Sequence, residues 1–299
     1  MTQSLRQIKS RIKSVENTWK ITRAMEMISV SKLRRIQDLL FAMRAYFGKT
    51  DSLLENLFAE RPDFSHPLLN TASNTGGVAV CVVTSDSGLC GLYNHRILKA
   101  AADFINRYPA DKVRVIAIGR KGFSYFKRKG FAVERAYLGW HGRLQPGALK
   151  ELTVFLTDIF LKNDGGSVDL ADSVNGVCEV YIIYTHFKSP MHYIPTIDRL
   201  FPVYVSSAIP AKPSYYLFEP DYQQLLDELL KVYVSGKIRL LLLEAFTAEH
   251  SERTIAMKSA TDNAKDLIEG LIIFKNKVRQ AAITKEVLEV VSTVEALKG

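Results

Sequence analysis

Residues 221–298 contain no proline. Stepping alternately three and four residues from Leu243 reaches Phe246, His250, Arg253, Met257, Ala260, Ala264, Leu267, Leu271, Phe274, Val278 and Ala281, and only His250 and Arg253 interrupt the apolar stripe. That spacing predicts the seam of a coiled coil. At about 1.5 Å per residue, a helix of this length would reach on the order of 120 Å. A stripe that long has to be covered by a partner.

The other end of the chain offers one. Ser4 and Gln7 stand at capping-box spacing, and Leu5, Ile8, Ile12, Val15, Trp19 and Thr22 follow at three-four intervals. The pattern predicts a phase slip at Glu26 and Ser29, where Met25 and Ile28 take over the apolar role, before Leu33, Ile36, Leu40, Met43 and Phe47 resume the repeat. With no proline before Pro62, this helix is expected to end near Leu57 or Phe58.

All the prolines lie between Pro62 and Pro220, and most glycines between Gly76 and Gly176. Within that middle the reading is a buried strand at 78–84, a helix at 94–108, a strand at 113–118 and a helix at 123–129. A further helix at 149–160, a loop at 165–176 and a strand at 178–185 come next. Strand alternating with helix predicts parallel α/β units. Pro190, Pro195, Pro202, Pro210 and Pro213 mark an extended, edge-like return to the C-terminal arm. The terminal helices can pair only if this domain is inserted between them. The expected fold is therefore an α/β protein with a long antiparallel coiled coil of N- and C-terminal helices and an inserted Rossmann-like domain. Its boundaries are 1–60, 61–213 and 214–299.

Charge narrows the partners. Of the net +9, much sits in one helix: Arg6, Lys9, Arg11, Lys13, Lys20, Arg23, Lys32, Arg34 and Arg35 face only Glu16 and Glu26. A solvated helix face, an acidic protein partner and nucleic acid all fit such a run, although no aromatic residues are interleaved for base stacking. No run of eighteen apolar residues is present, so no membrane span is predicted. The N-terminus lacks an apolar signal segment. Its Arg/Ser-rich opening resembles an organellar transit peptide in composition, but the helical periodicity runs on past Leu33. Cys81, Cys90 and Cys178 are odd in number and lack CxxC spacing, which argues against a disulfide framework and a zinc site.

Catalytic chemistry is not evident. Ser87-Gly88-Leu89-Cys90-Gly91 and Gly119-Arg120-Lys121-Gly122 follow strands, yet neither forms GxGxxG or a GxxxxGK[ST] phosphate loop. Cys90 has no His or acid fixed beside it by local sequence. The six histidines show no i, i+4 pairing, and Glu249 and Glu252 beside His250 and Arg253 read as ion-pairing or capping groups. No cofactor or metal is expected.

Two stretches carry a resemblance. Residues 8–37, with SVENT, KITRAMEM and SKLRRIQ, and residues 256–291, with AMKSATDNA, NKVRQAAIT and KEVLEVV, resemble the terminal signatures of the gamma subunit of F-type ATP synthases. Weaker matches are SDSGLCGLYN at 85–94 and the FEPD segment at 218–226. Trp19, Ser87, Leu92, Thr254 and Thr293 depart from the pattern, and residues 131–177 show little of it.

The resemblance implies a non-catalytic rotor shaft, present once in a hetero-oligomer, turning inside a hexamer of alpha and beta subunits. The epsilon subunit and the membrane-embedded c-ring would meet the foot. It implies beta-subunit contacts at Arg23, Met25, Lys32, Arg34, Arg35, Arg279, Gln280 and Thr284. It also implies a bearing tip at Val287, Leu288, Val291 and Val294, and foot contacts to epsilon or the ring at Asp86, Leu89, Cys90 and Tyr204. His250 and Arg253 would fall where the rod emerges toward the foot, facing subunit contacts or ion pairs instead of a dry core. The expected location is the cytoplasmic face of a bacterial membrane, peripherally bound, without membrane insertion and without nucleic acid. A divergent paralogue, a basic coiled-coil scaffold that binds nucleic acid, and a nucleotide-dependent α/β enzyme are the alternatives.

Overall fold

The computed structural model describes residues 5–60, 66–69, 76–161, 176–204 and 221–297. Ser4 of the expected capping box, most of the expected loop at 165–176, and Pro210 and Pro213 lie outside them. Two helices dominate: α1 (Leu5–Glu60) and α5 (Tyr222–Ala296), each unbroken and free of proline. The chain divides into two compact units, Met1–Val30 with Arg253–Gly299 and Ser31–Glu252, so each long helix contributes to both.

Burial along α1 corrects the expected phase slip. Ser29 is 2% exposed, whereas Ile28 is 57% exposed. The buried or half-buried positions 8, 12, 15, 19, 22, 26, 29, 33, 36, 40 and 43 alternate steps of four and three without interruption. A one-residue slip would rotate every later side chain by about 100°. Keeping Leu33, Ile36 and Leu40 inward requires burying only one small hydroxyl, and that arrangement is the one adopted.

In the first unit, α5 meets α1 through part of the expected seam, with Thr261 added and Leu267 and Phe274 turned outward. Met257, Thr261, Ala264 and Leu271 are buried, while Leu267 and Phe274 are exposed and Ala260 only half-buried. The seam steps four then three from Met257, not three then four. Adjacent candidates such as Leu267 and Ile268 are both apolar, so hydrophobicity alone could not choose between them. The Thr22 and Thr261 hydroxyls stand 3.1 Å apart across the seam, and each also reaches a carbonyl of its own helix, Trp19 O and Met257 O. From 279 to 296 every residue of α5 is exposed.

The second unit contains a five-stranded sheet of order β3-β2-β1-β4-β5. Its strands are β1 (Gly77–Val83), β2 (Val113–Ile118), β3 (Val133–Tyr137), β4 (Val177–Ser189) and β5 (His192–Phe201). The first four run parallel, and β5 pairs antiparallel with β4. The expected strands at 78–84, 113–118 and 178–185 correspond to β1, β2 and the first part of β4. The third strand was not anticipated, because Glu134 and Arg135 break its apolar character, as suits an edge. β5 is the expected extended return, and Pro195, lacking an N–H, sits on this opposite edge.

Strand periodicity assigns the layers. Val78, Val80 and Val82 pack with Ile97, Phe104 and Phe126 of α2 (Tyr93–Ile105) and α3 (Arg120–Arg128). Ala79, Cys81 and Val83 face the other way, into a core shared with α4 (Pro146–Leu161), residues 36–57 of α1 and residues 222–248 of α5. Within this unit the helix pair is thus a layer of the α/β sandwich. It is antiparallel: Arg44 meets Glu244, the Phe47 and Tyr233 rings lie 5.1 Å apart, and the Tyr222 hydroxyl donates to Leu57 O at 3.0 Å.

The uninterrupted stripe on α1 has a direct test by urea unfolding followed by circular dichroism. Ile28→Ala should change stability by less than about 0.5 kcal/mol, as for an exposed site, whereas Leu40→Ala, at a fully buried position, should cost about 2–5 kcal/mol.

Candidate functional site

The densest polar chemistry of the second unit lies where α5 crosses the carboxyl ends of the strands. Glu244, Thr247, Glu249, His250, Ser251 and Glu252 are all buried. Arg253, first residue of the other unit's segment, is 6% exposed and His250 2%, so both are buried. Glu244 shows why such a run is tolerated. Arg44 grips it in a fork, with Nε to Oε1 at 2.7 Å and Nη2 to Oε2 at 2.9 Å. The Phe187 N–H donates to Oε2 at 2.8 Å, His186 Nδ1 lies 3.4 Å from the same oxygen, and Arg44 Nη2 also donates to Phe187 O. One carboxylate thereby ties α1, α5 and β4 together, exchanging its hydration for a bidentate charge pair and a backbone donor.

Strand order reverses between β1 and β4, and in open α/β sheets the crevice at such a point is the usual ligand site. Here the chain fills it. Asp86 accepts hydrogen bonds from the backbone N–H groups of Arg120, Gly139 and His141 at 3.1, 3.0 and 2.8 Å, joining the loop after β1 to the loops after β2 and β3. Asn94 donates to Ser85 Oγ and Cys90 Sγ and accepts from Ser85 N, closing the same loop on itself. Glu252 of α5 accepts from Leu92 N at 3.0 Å, placing a carboxylate at the start of α2, which has no side-chain cap of its own. Tyr93 donates to Ala245 O, Ser251 to Pro190 O, and the Trp140 ring packs edge-on to Phe246.

The approach is close enough to demand glycine at two points. A Cβ on Gly91 would lie 2.3 Å from Glu252 Oε1, and one on Gly142 would lie 2.3 Å from His250 Nε2; both glycines have positive φ. Thiol chemistry is suppressed: burial pushes the Cys81 thiol up to about 12, and Cys90 and Cys178 are also buried.

The residues implied as beta-subunit contacts fall in two places. On α1, Arg23, Arg34 and Arg35 are exposed while Met25 and Lys32 are half-buried. On α5, Arg279, Gln280 and Thr284 are exposed on successive turns, with the Thr284 hydroxyl donating to Gln280 O at 3.0 Å. Val287, Leu288, Val291 and Val294 are exposed farther along the same helix. The four foot residues divide: Leu89, in the left-handed region at φ 61°, and Tyr204 are exposed, whereas Asp86 and Cys90 are buried. Among the described residues no cluster of His, Cys, Asp or Glu could hold a metal ion, and no helix is long and apolar enough to cross a membrane.

Sequence reasoning passed over Glu244 and Arg44, and it read Glu252 as an ion-pairing or capping group without identifying α2 as the helix it caps. A signal existed for the first: Glu244 is an acid inside the apolar run from Leu240 to Phe246, and such a position is tolerable only with a dedicated partner. Removing that partnership should be costly. Glu244→Ala is expected to lower stability by about 3 kcal/mol by stranding Arg44 and the Phe187 N–H, and a double-mutant cycle with Arg44→Ala should give a coupling of about 1 kcal/mol or more, read from urea midpoints. Gly91→Ala should destabilise the second unit as well, and Glu252→Gln in the same chain should not rescue it, because the clash is steric.

Comparison with known proteins gives this architecture its relatives. A family model described as ATP synthase matches residues 4–297. The ATP synthase gamma chain of Chlorobium phaeobacteroides is 34% identical over 304 residues, covering 99% of each chain, and that of Heliobacterium modesticaldum is 37% identical over 301 residues, covering 98% of this chain and 99% of its own. Among solved structures, a chain of the Tetrahymena thermophila mitochondrial ATP synthase central stalk and c-ring shares the fold at a TM-score of 0.60 and 19% identity, over 80% of this chain and 99% of that one. A chain of the Euglena gracilis mitochondrial ATP synthase does so at 0.61 and 13%, over 98% and 94%. With the family model and these gamma chains matching nearly its whole length, this chain belongs to the ATP synthase gamma chain family.

Proposed function

We propose that this chain is the central rotor shaft of an F-type ATP synthase and carries no catalytic chemistry of its own. The observation that supports this most is the relationship over the whole chain to proteins named ATP synthase gamma chain. In this reading residues 1–60 and 214–299 are the shaft and residues 61–213 the foot. One copy turns inside a hexamer of alpha and beta subunits, with the foot on the epsilon subunit and the c-ring, at the cytoplasmic face of a bacterial membrane.

The physical logic of a shaft is differential contact. A rotating element changes the state of a catalytic site only if it interacts differently with its open and closed forms. Arg23, Lys32, Arg34 and Arg35 supply exposed or half-buried charge on α1 that suits an acidic loop passing by, where screened, solvated contacts give steering and little drag. Met25 lies among them, half-buried, and serves the seam and the passing loop together. Arg279, Gln280 and Thr284 present hydrogen-bonding groups, and Val287, Leu288, Val291 and Val294 an apolar surface for a bearing. In the foot, Leu89 and Tyr204 are the surface contacts, and Asp86 and Cys90 hold the loop that presents Leu89. The filled strand-end crevice favours this role over a nucleotide-dependent enzyme, since torque delivered to the sheet has to reach α5 through a stiff connection.

Capture of the chain from native membranes should bring alpha, beta and epsilon subunits with it, identified by mass spectrometry; their absence would end the assignment. In the assembled complex, Arg279→Ala with Gln280→Ala should lower ATP-driven ion pumping several-fold, by about 1–2 kcal/mol of lost contact, while leaving assembly intact. Unchanged pumping would remove these residues from the coupling surface.

A further inference from the structure

The second unit holds a pocket whose interior the shaft reading does not use, although Lys32 and Arg35 on its rim are among the residues assigned above to the passing loop. It lies between α1, the loop before α4, the first turn of α4 and α5, and encloses about 310 Å³, at the lower edge of the ~300–1,000 Å³ usual for small-molecule sites. Its floor is aliphatic, from the buried Ile36 and Leu243, with Leu149 as a wall. Around this floor stand Lys32, Arg35, Arg143 and Arg239, and no lining residue is acidic. Among the described residues, Arg35, Arg143 and Arg239 form no ion pair.

A second hollow of the same unit shows that this arrangement is not simply what charged surfaces do. Larger, at about 620 Å³, it is lined by both signs, and there Arg114 pairs with Glu134 and Arg135 with Glu151. In the basic pocket Arg35, Arg143 and Arg239 stand around one hollow without an ion-pair partner among the described residues. Helix α4 adds to the field. It begins at Pro146 on the pocket wall with no acidic residue in its first turn, so its positive pole is left uncompensated there by local sequence.

We propose that this pocket binds a small amphiphilic anion, a carboxylate or phosphate head group on a short alkyl body, with the head among the arginines and the body on Ile36, Leu149 and Leu243. The three arginines disfavour one another around a shared hollow, and an anion relieves that repulsion while gaining charge-assisted hydrogen bonds from guanidinium groups. The aliphatic floor rewards a body that a bare phosphate lacks. The enclosure between helices fits a single chain and not the flat surface of a bilayer.

The test is a calorimetric titration of the purified full chain with octanoate and octyl phosphate, with 1-octanol, inorganic phosphate and phosphatidylglycerol vesicles as the other arms. Saturable one-to-one binding of both anions is expected at a Kd of about 0.1 mM, with 1-octanol and inorganic phosphate each at least about tenfold weaker. Arg143→Glu with Arg239→Glu changes two exposed side chains and should weaken octanoate at least about tenfold. Leu149→Trp should abolish binding by filling the pocket at unchanged charge; if that variant fails to fold, the arginine pair still decides. Equal binding of 1-octanol, unchanged affinity in the arginine variant, or binding to the vesicles alone would each overturn the proposal. Subunit assembly plays no part in the measurement, so its outcome is separate from that of the shaft assignment.

Discussion

A carboxylate taken into the layer between two helices and a sheet has to recover the hydration it loses, and Glu244 recovers it from three directions at once. The Arg44 fork comes from α1, the Phe187 N–H from β4, and the carboxylate itself from α5. Apolar packing around it, from Leu40, Phe246 and Phe187, is strong but not directional, and would tolerate sliding of one helix past another. A bidentate charge pair does not tolerate sliding, because moving either partner by an ångström or two leaves a buried charge unmatched. The register of α1, α5 and the sheet in this unit is therefore set at a point, and the surrounding hydrophobic layer gives it depth.

The same stretch of α5 explains why a sheet of doubly wound type has no ligand chemistry where such sheets usually carry it. Glu252 occupies the start of α2, Tyr93 and Ser251 tie α5 to the loops, and Gly91 and Gly142 allow contact at a distance no other residue permits. Asp86, which an enzyme would leave available, is saturated by three backbone donors. A crevice that in other proteins admits a nucleotide is here the seat of a helix. For a mechanical subunit this is a sound exchange: a ligand site needs an opening, and a rigid joint needs none.

How far this was readable beforehand depended on periodicity. Both long helices, β1, β2 and the start of β4 announced themselves through sustained three-four spacing or a continuous β-branched run between turn residues. The third strand did not, since Val133 to Tyr137 is half polar and short. The seam was misread at Ser29 and at Leu267 for a common reason. Where adjacent residues compete for a buried position, hydrophobicity votes for Ile28 and Leu267, while the helix must keep one continuous rotation and so buries Ser29 and turns Leu267 outward. The exposed charged positions on α1 were legible as surface, whereas the apolar tip of α5 was implied only by the family resemblance. That Asp86 and Cys90 lie inside was not, because loop residues carry no periodic signal of their own.

By itself the sequence determined that two proline-free amphipathic helices flank an α/β insert, because helix and strand periods are local properties of side-chain spacing. It also determined the basic character of α1 and the absence of a recognisable phosphate loop. Only the tertiary structure decided what the polar residues of α5 are for. In one dimension His250 interrupts the stripe, Glu252 reads as an ion-pairing or capping group, and Glu244 is an acid inside an apolar run. In three dimensions residues 44, 91, 92, 142 and 187 converge on them. Satisfying a buried charge requires partners distant in sequence, and no local pattern records which ones will arrive.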